Sequence, residues 1–139
     1  MAEHVTPLVR ASANDPYLTA LNNGVVIFDG ATGTNLQLEH LTADDFGGSA
    51  LEGCNEILTV TRPDAIERLH RSFLDVGVDA IETDSFGSFS VVLGEYGIAD
   101  RAFELALASA TLARRVADEY AIASQPRFVA GSKIGRAHV

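Results

Sequence analysis

From Val25 to Phe28 the chain is apolar without interruption, and it then turns at Asp29-Gly30-Ala31-Thr32-Gly33-Thr34 into an acid followed by a glycine-rich bend. Four apolar residues, three of them β-branched, predict a strand covered on both faces, as in a parallel sheet. Asp29 would sit at its carboxyl end, where Gly30 and Gly33, lacking a Cβ, would let backbone approach a ligand closely. Ahead of this strand, Ala11 to Leu21 predicts a short helix running into an Asn22-Asn23-Gly24 turn. After it, Thr32 to Thr59 is mixed and loop-rich, with Asp44-Asp45-Phe46-Gly47-Gly48-Ser49 marking a surface turn. So long a connection is uncommon unless it serves a site.

The period then changes. Thr61 is placed to cap a helix whose first turn holds Pro63 and Asp64, and Ile66, Leu69, Phe73 and Val76 follow at steps of three and four along one face. Gly77 stops that helix, and a second strand, Val78 to Thr83, delivers Glu82, Thr83 and Asp84 to its carboxyl end. Ser85 to Gly97 is a second glycine-punctuated loop. Ala99 to Tyr120 predicts a long helix with Leu105, Ala108, Leu112, Val116 and Tyr120 on one side, and Phe128 to Gly131 begins a third strand after the Ser124-Gln125-Pro126 break. Strand, helix, strand, helix, strand is the order of a parallel α/β fold with right-handed crossovers. In such folds ligands sit at the carboxyl ends of the strands, so Asp29, Glu82 and Asp84 are expected at one rim.

Composition narrows the reading. With 139 residues, 47% of them hydrophobic, the chain has enough apolar material for one ordinary core and is not disordered. A net charge of −9 without any Lys/Arg cluster argues against nucleic acid as a partner. One cysteine, Cys54, allows no internal disulfide. No signal pattern and no apolar stretch of about 20 residues is present, so a soluble cytoplasmic protein without a membrane partner is expected. His4, His40, His70 and His138 show no spacing of a metal or catalytic pair, and His70 is expected at the surface or boundary of its helix. Glu67 and Arg71 are expected to form a solvated ion pair.

The last residues stand apart from the rest. Lys133 is the only lysine, after eight arginines, and a sequencing-library adapter reading ATC GGA AGA GCA CAC GTC TGA encodes Ile-Gly-Arg-Ala-His-Val followed by a stop. Residues 133–139 are therefore expected to be a non-native, adapter-derived tail, with the natural protein continuing past Ser132.

Asp29-Gly30-Ala31-Thr32-Gly33-Thr34 resembles the Asp-Gly-Ala-Met-Gly-Thr signature of the homocysteine-binding domain of cobalamin-dependent methionine synthases. Gly53-Cys54-Asn55-Glu56, Thr61-Arg62-Pro63-Asp64 and Glu82-Thr83-Asp84-Ser85-Phe86-Gly87 follow in the family's order and at similar spacing, so the resemblance covers Val25 to Ser132. It implies a (β/α)₈ TIM barrel of which this chain holds the first three strands, with residues 1–23 as an N-terminal extension and 24–132 as the first part of the barrel. A whole barrel takes eight strands and roughly 250 residues.

The function implied is homocysteine S-methyl transfer, in which methylcobalamin gives its methyl group to a zinc-activated homocysteine thiolate. Asp29 and the backbone of Gly30 and Ala31 would hold the amino-acid part of homocysteine, the Asp29 carboxylate meeting the ammonium. Phe86 would wall the pocket, and Glu82 would either orient neighbours or touch substrate. At Asp84 the family more often has Asn, and a carboxylate there has two fewer donors and one more charge. The family's zinc ligands, a Cys and a later Cys-Cys pair, are absent, and Cys54 is read as an inert, partly buried thiol. The partners implied are the cobalamin and methyltetrahydrofolate domains of a longer parent, and the fragment alone is expected to be inactive. Two alternatives remain: a methyltransferase using betaine or S-methylmethionine, or a non-enzymatic α/β module binding a small anion at Asp29 to Thr34.

Overall fold

The computed structural model describes residues 15–134. The start of the predicted Ala11–Leu21 helix and residues 135–139 of the expected tail lie outside the described residues. Asp15 opens the first helix, α1 (Pro16–Asn23): its carboxylate accepts the Tyr17 N–H at 2.9 Å and the Leu18 N–H at 3.3 Å, and Pro16 fills the first turn. The helix therefore runs two residues past the Leu21 end that the apolar pattern suggested.

The sheet is parallel and short. Strand β1 (Ala80–Glu82) pairs with β2 (Phe128–Ala130) in the register Ala80 to Phe128, Ile81 to Val129 and Glu82 to Ala130. On the other flank of β1 the Val25–Asp29 segment makes one parallel bridge, Phe28 to Ala80, with the Asp29 N–H donating to the Ala80 carbonyl at 3.0 Å. The predicted first strand is thus a single bridge, and Val25 is 87% exposed instead of covered on both faces. Its apolar residues pair on one flank only, which leaves their outer sides open. The second and third predicted strands lie where expected but are shorter. Tyr17 of α1 stands edge-on to Phe28 at 6.4 Å and to Phe128 at 5.3 Å, which fastens the helix across the outer members of the sheet.

Two helices cover the other face. Helices α4 (Pro63–Asp75) and α6 (Ala102–Tyr120), with the short α5 (Ser90–Gly94) between them in sequence, pack on each other and on β1, with Ile66, Leu69, Leu74, Ile81, Leu105, Leu112 and Val116 in one core. Pro63 starts α4 as predicted, but Thr61 does not cap it. Thr61 closes a preceding helical turn, α3 (Leu58–Thr61), where its hydroxyl donates to the Ile57 carbonyl, and Arg62 precedes α4.

The buried stripe of α4 runs through Ile66, His70 and Leu74, steps of four, so His70 is 1% exposed, contrary to its expected boundary position. Burial lowers the His70 imidazole to about 4, which keeps it neutral at ordinary pH. Val76 falls beyond the end of that stripe and is 80% exposed, and Gly77 then turns the chain at φ +95° into β1.

The predicted Ala99–Tyr120 helix begins with a 3₁₀ turn at Ala99–Arg101, and its predicted inner face is buried or half-buried. The Glu67–Arg71 pair forms at 3.5 Å and extends into a lattice: Arg71 also meets Glu119 and Arg115 meets Glu67, linking α4 to α6. The long connection carries α2 (Thr32–Gln37) and 3₁₀ turns at Ser49–Leu51 and Asn55–Ile57, and the Asp44–Ser49 turn is present with Phe46 tucked into the core. No described helix is long and apolar enough to cross a membrane.

Leu105 is fully buried whereas Phe103 on the same helix is 79% exposed. Leu105→Ala is expected to lower the unfolding free energy by about 2–5 kcal/mol and Phe103→Ala by no more than about 0.5 kcal/mol, read by chemical denaturation.

Candidate functional site

The sheet register brings the carboxyl ends of three parallel segments to one edge, and an open cleft of about 480 Å³ lies there. Asp29, Gly30, Ala31, Glu82 and Phe86, the residues expected to bind substrate, all line it. Thr32, Gly33, Asn55, Glu56, Asp84 and Ser132 complete the wall. They come from the ends of the three parallel segments, the turns that follow them, and the long connection that folds over the rim.

Asp29 is fixed by the neighbouring strand. Both of its carboxylate oxygens accept the Glu82 N–H, at 3.1 and 3.0 Å, which ties the first segment to the end of β1. Burial raises its carboxyl to about 6; the Glu82 N–H opposes that rise and the Glu82 charge adds to it. Glu82 itself is exposed at the end of β1 and faces the cleft. Phe86 is an exposed wall residue, held by its carbonyl, which accepts the Ile134 N–H at 3.1 Å.

Glu56 was quoted within a motif but not expected at the site. Its Oε1 accepts the Gly87 N–H at 2.8 Å, and its other oxygen lies 3.8 Å from the Cys54 sulfur. Gly87 is required by this approach, because a Cβ there would stand 2.5 Å from Glu56 Oε1 and 3.1 Å from Val92. No local sequence signal marks this role, since the Glu56 partner, Gly87, lies 31 positions further on.

Asp84 is 5% exposed, and its Oδ2 has no hydrogen-bond partner among the described residues. Burial, with the Glu56 charge as a second cause, pushes its carboxyl up to about 8. Next to it the Thr83 and Ser85 hydroxyls lie 2.6 Å apart, and the Thr83 hydroxyl accepts the Ser132 N–H at 3.0 Å.

Cys54 is completely buried, more so than expected, and burial, with the Glu56 and Asp84 charges adding to it, pushes its thiol up to about 11. A thiol so hard to ionise is unsuited to ligating a metal, since the thiolate is the ligand form. Among the described residues no group of three or more His, Cys, Asp and Glu side chains is arranged to hold a metal ion. The described residues therefore do not fit a zinc site.

A parallel α/β layer with an acid-lined cleft at the strand ends is the design of a small-molecule site in an enzyme domain. The sequence model of the homocysteine S-methyltransferase family matches residues 26–137, and the chain belongs to that family. Methionine synthase of Mycobacterium tuberculosis (strain ATCC 25618 / H37Rv) is 50% identical over 115 residues, which span 83% of this chain and 10% of that protein. Methionine synthase of Mycobacterium leprae (strain TN) is 48% identical over 115 residues, 83% of this chain and 9% of that protein. The chain thus spans about a tenth of the length of these relatives. The metallated form of the homocysteine methyltransferase MmuM from Escherichia coli shares the fold at a TM-score of 0.63 and 22% identity, over 81% of this chain and 39% of that one.

Two outcomes follow from the cleft. Gly87→Ala should drive Glu56 from its place and lower stability by about 1–3 kcal/mol in a denaturant titration. Asp84 has a folded value of about 8, above the ordinary 3.8, so the folded state holds a proton that the unfolded state has lost and stability falls as pH rises between those values. His70 opposes this only below its ordinary 6.5, where the unfolded chain takes up a proton that the folded one refuses. Between pH 6.5 and 8 the native chain should therefore lose on the order of 1–2 kcal/mol, and Asp84→Asn should flatten that slope in melts run across the window.

Proposed function

We propose that this chain is the amino-acid-binding part of a homocysteine S-methyltransferase of the methionine synthase type, and that within its parent it forms the opening strands of a (β/α)₈ barrel. The observation carrying this reading is the convergence of Asp29, Gly30, Ala31, Glu82 and Phe86 on one cleft at the strand ends. Asp29 is presented for an ammonium: its position is set by the Glu82 N–H, while its remaining lone pairs face the cleft. The Gly30–Ala31 backbone lies beside it for the other end of the amino acid, and Phe86 walls the aliphatic stem.

Methyl transfer from methylcobalamin to a zinc-bound thiolate, supplied by cobalamin and methyltetrahydrofolate domains of the parent, is the reading favoured by the near-half identity to two methionine synthases. Betaine or S-methylmethionine as donor is the variant that the same cleft would serve. Zinc in either case belongs to residues outside this chain, because Cys54 is alone and its thiol is held protonated. The small-anion module is disfavoured by charge: Asp29, Glu56, Glu82 and Asp84 line the cleft with no Lys, Arg or His among the lining residues. Cytoplasmic location and the adapter origin of residues 133–139 are retained as parts of this proposal.

Calorimetry tests it. The chain should bind L-homocysteine and neither phosphate nor nucleotides, Asp29→Ala should weaken that binding at least about tenfold (~1.4 kcal/mol), and metal analysis should find no stoichiometric zinc. Phosphate binding in place of homocysteine would transfer the assignment to the anion module.

A further inference from the structure

Charge is distributed unevenly between the two sides of this molecule. On the helical layer the acids are answered by arginines, as Glu67 and Glu119 are by Arg71 and Arg115, and Asp64 by Arg62 and Arg68. In the cleft, Asp29, Glu56, Glu82 and Asp84 face the same space without a cation on the wall, and Lys133, next to the lining residue Ser132, is exposed and not part of it. Asp84 is the most enclosed of the four and the one whose oxygen lacks a partner. The groups around it add no positive charge: Glu56 and Cys54 on the segment before α3, Asp29 from the first strand-like segment, Glu82 on β1, and the Thr83 and Ser85 hydroxyls, which bond to each other while Ser85 donates to the Ser132 carbonyl. A buried carboxylate with no donor, beside a second carboxylate, is strongly disfavoured. The cleft has a place for one proton or for one cationic group.

We propose that the empty cleft holds a proton among these carboxyls, chiefly on Asp84, and that the α-ammonium of an amino-acid ligand displaces it to solvent. This rests on the homocysteine reading and deepens it: the cleft selects ligands by a free α-amino group, so amino acids without a thiol also load it and N-acylated ones do not. No bond of the ligand is made or broken. One carboxyl O–H loses its proton to the buffer, and the ammonium, already charged, takes over the hydrogen bonds and the compensation of charge. At pH 7.5 Asp84, raised to about 8, still keeps most of its proton, while Asp29, raised to about 6, has lost it. The released proton is therefore traced to one residue.

The test is calorimetry on the 139-residue chain at pH 7.5 in two buffers of different ionisation enthalpy, with L-methionine and L-2-aminobutyrate as probes. Neither has a thiol, so no proton can come from ligand sulfur. About 0.5–0.8 proton should be released per ligand bound, falling below about 0.2 in Asp84→Asn, and N-acetyl-L-methionine should bind at least about tenfold more weakly. A melting curve confirms that the variant folds, and carbon-13 carboxyl shifts of the unsubstituted chain, which should show Asp84 titrating near 8 when empty and well below that when loaded, give a readout independent of any substitution. Binding without proton release overturns the proposal and leaves the homocysteine reading standing. Equal binding of the N-acetyl compound overturns the ammonium assignment, and failure of L-homocysteine and L-methionine alike to bind defeats the reading on which both rest.

Discussion

Parallel pairing on both flanks of Ala80–Glu82 is the constraint from which the rest of this molecule follows, since it brings the strand ends together at the rim. Two aspartates hold that pairing at its ends. At the entry to β1, Asp79 accepts the Ile27 N–H at 2.9 Å and lies 3.5 Å from the buried Arg127 guanidinium, so it touches the segments on both sides. At the exit, Asp29 takes the Glu82 N–H on both oxygens. A slip of one residue would point Glu82 into the helical layer and Ile81 into the cleft, exchanging a charge for a core side chain. The tie made by Asp29 is thus structural and chemical together, and it explains why so short a sheet still sets a defined site.

Around that sheet the chain sorts its charges by layer. Its net charge of −9 is not spread evenly. Arginines are spent on the outer helices, where exposed ion pairs each contribute little but join α4 to α6 at several points. The cleft receives acids only. Burial there is tolerated because protonation relieves it, and a site that is neutralised by protons when empty is one that welcomes a cation when loaded. Tyr17, closing the opposite face of the sheet against Phe28 and Phe128, leaves the strand ends as the open side.

Much of this was legible in the sequence, and the parts that were not have physical reasons. The order of elements, the inner face of α6 and the meeting of Asp29, Glu82 and Asp84 at one rim followed from period and from the acid-bearing ends of apolar runs, whereas Ala31 and Phe86 were pointed to by the family resemblance. The first strand was overread because four apolar residues signal burial without saying which neighbour supplies it, and here only one flank is paired. His70 was misplaced because the apolar stripe was drawn through Val76, whereas α4 ends at Asp75 and its buried line runs through 66, 70 and 74. Glu56 was missed as a site residue because its role depends on Gly87, 31 positions further on, having no Cβ. No local pattern records such a contact.

Cys54, buried in the core beside Glu56, shows what burial next to these acids does to sulfur. Burial and then the negative charges of Glu56 and Asp84 push its thiol up to about 11, so the acids that suit an ammonium are hostile to a thiolate. A ligand thiol placed against the same carboxyls would be held in its protonated, poorly nucleophilic form. For a ligand that carries both groups, the ammonium is favoured toward Asp29 and Asp84 and the sulfur away from them, because one electrostatic environment cannot favour both an added positive charge and an added negative one.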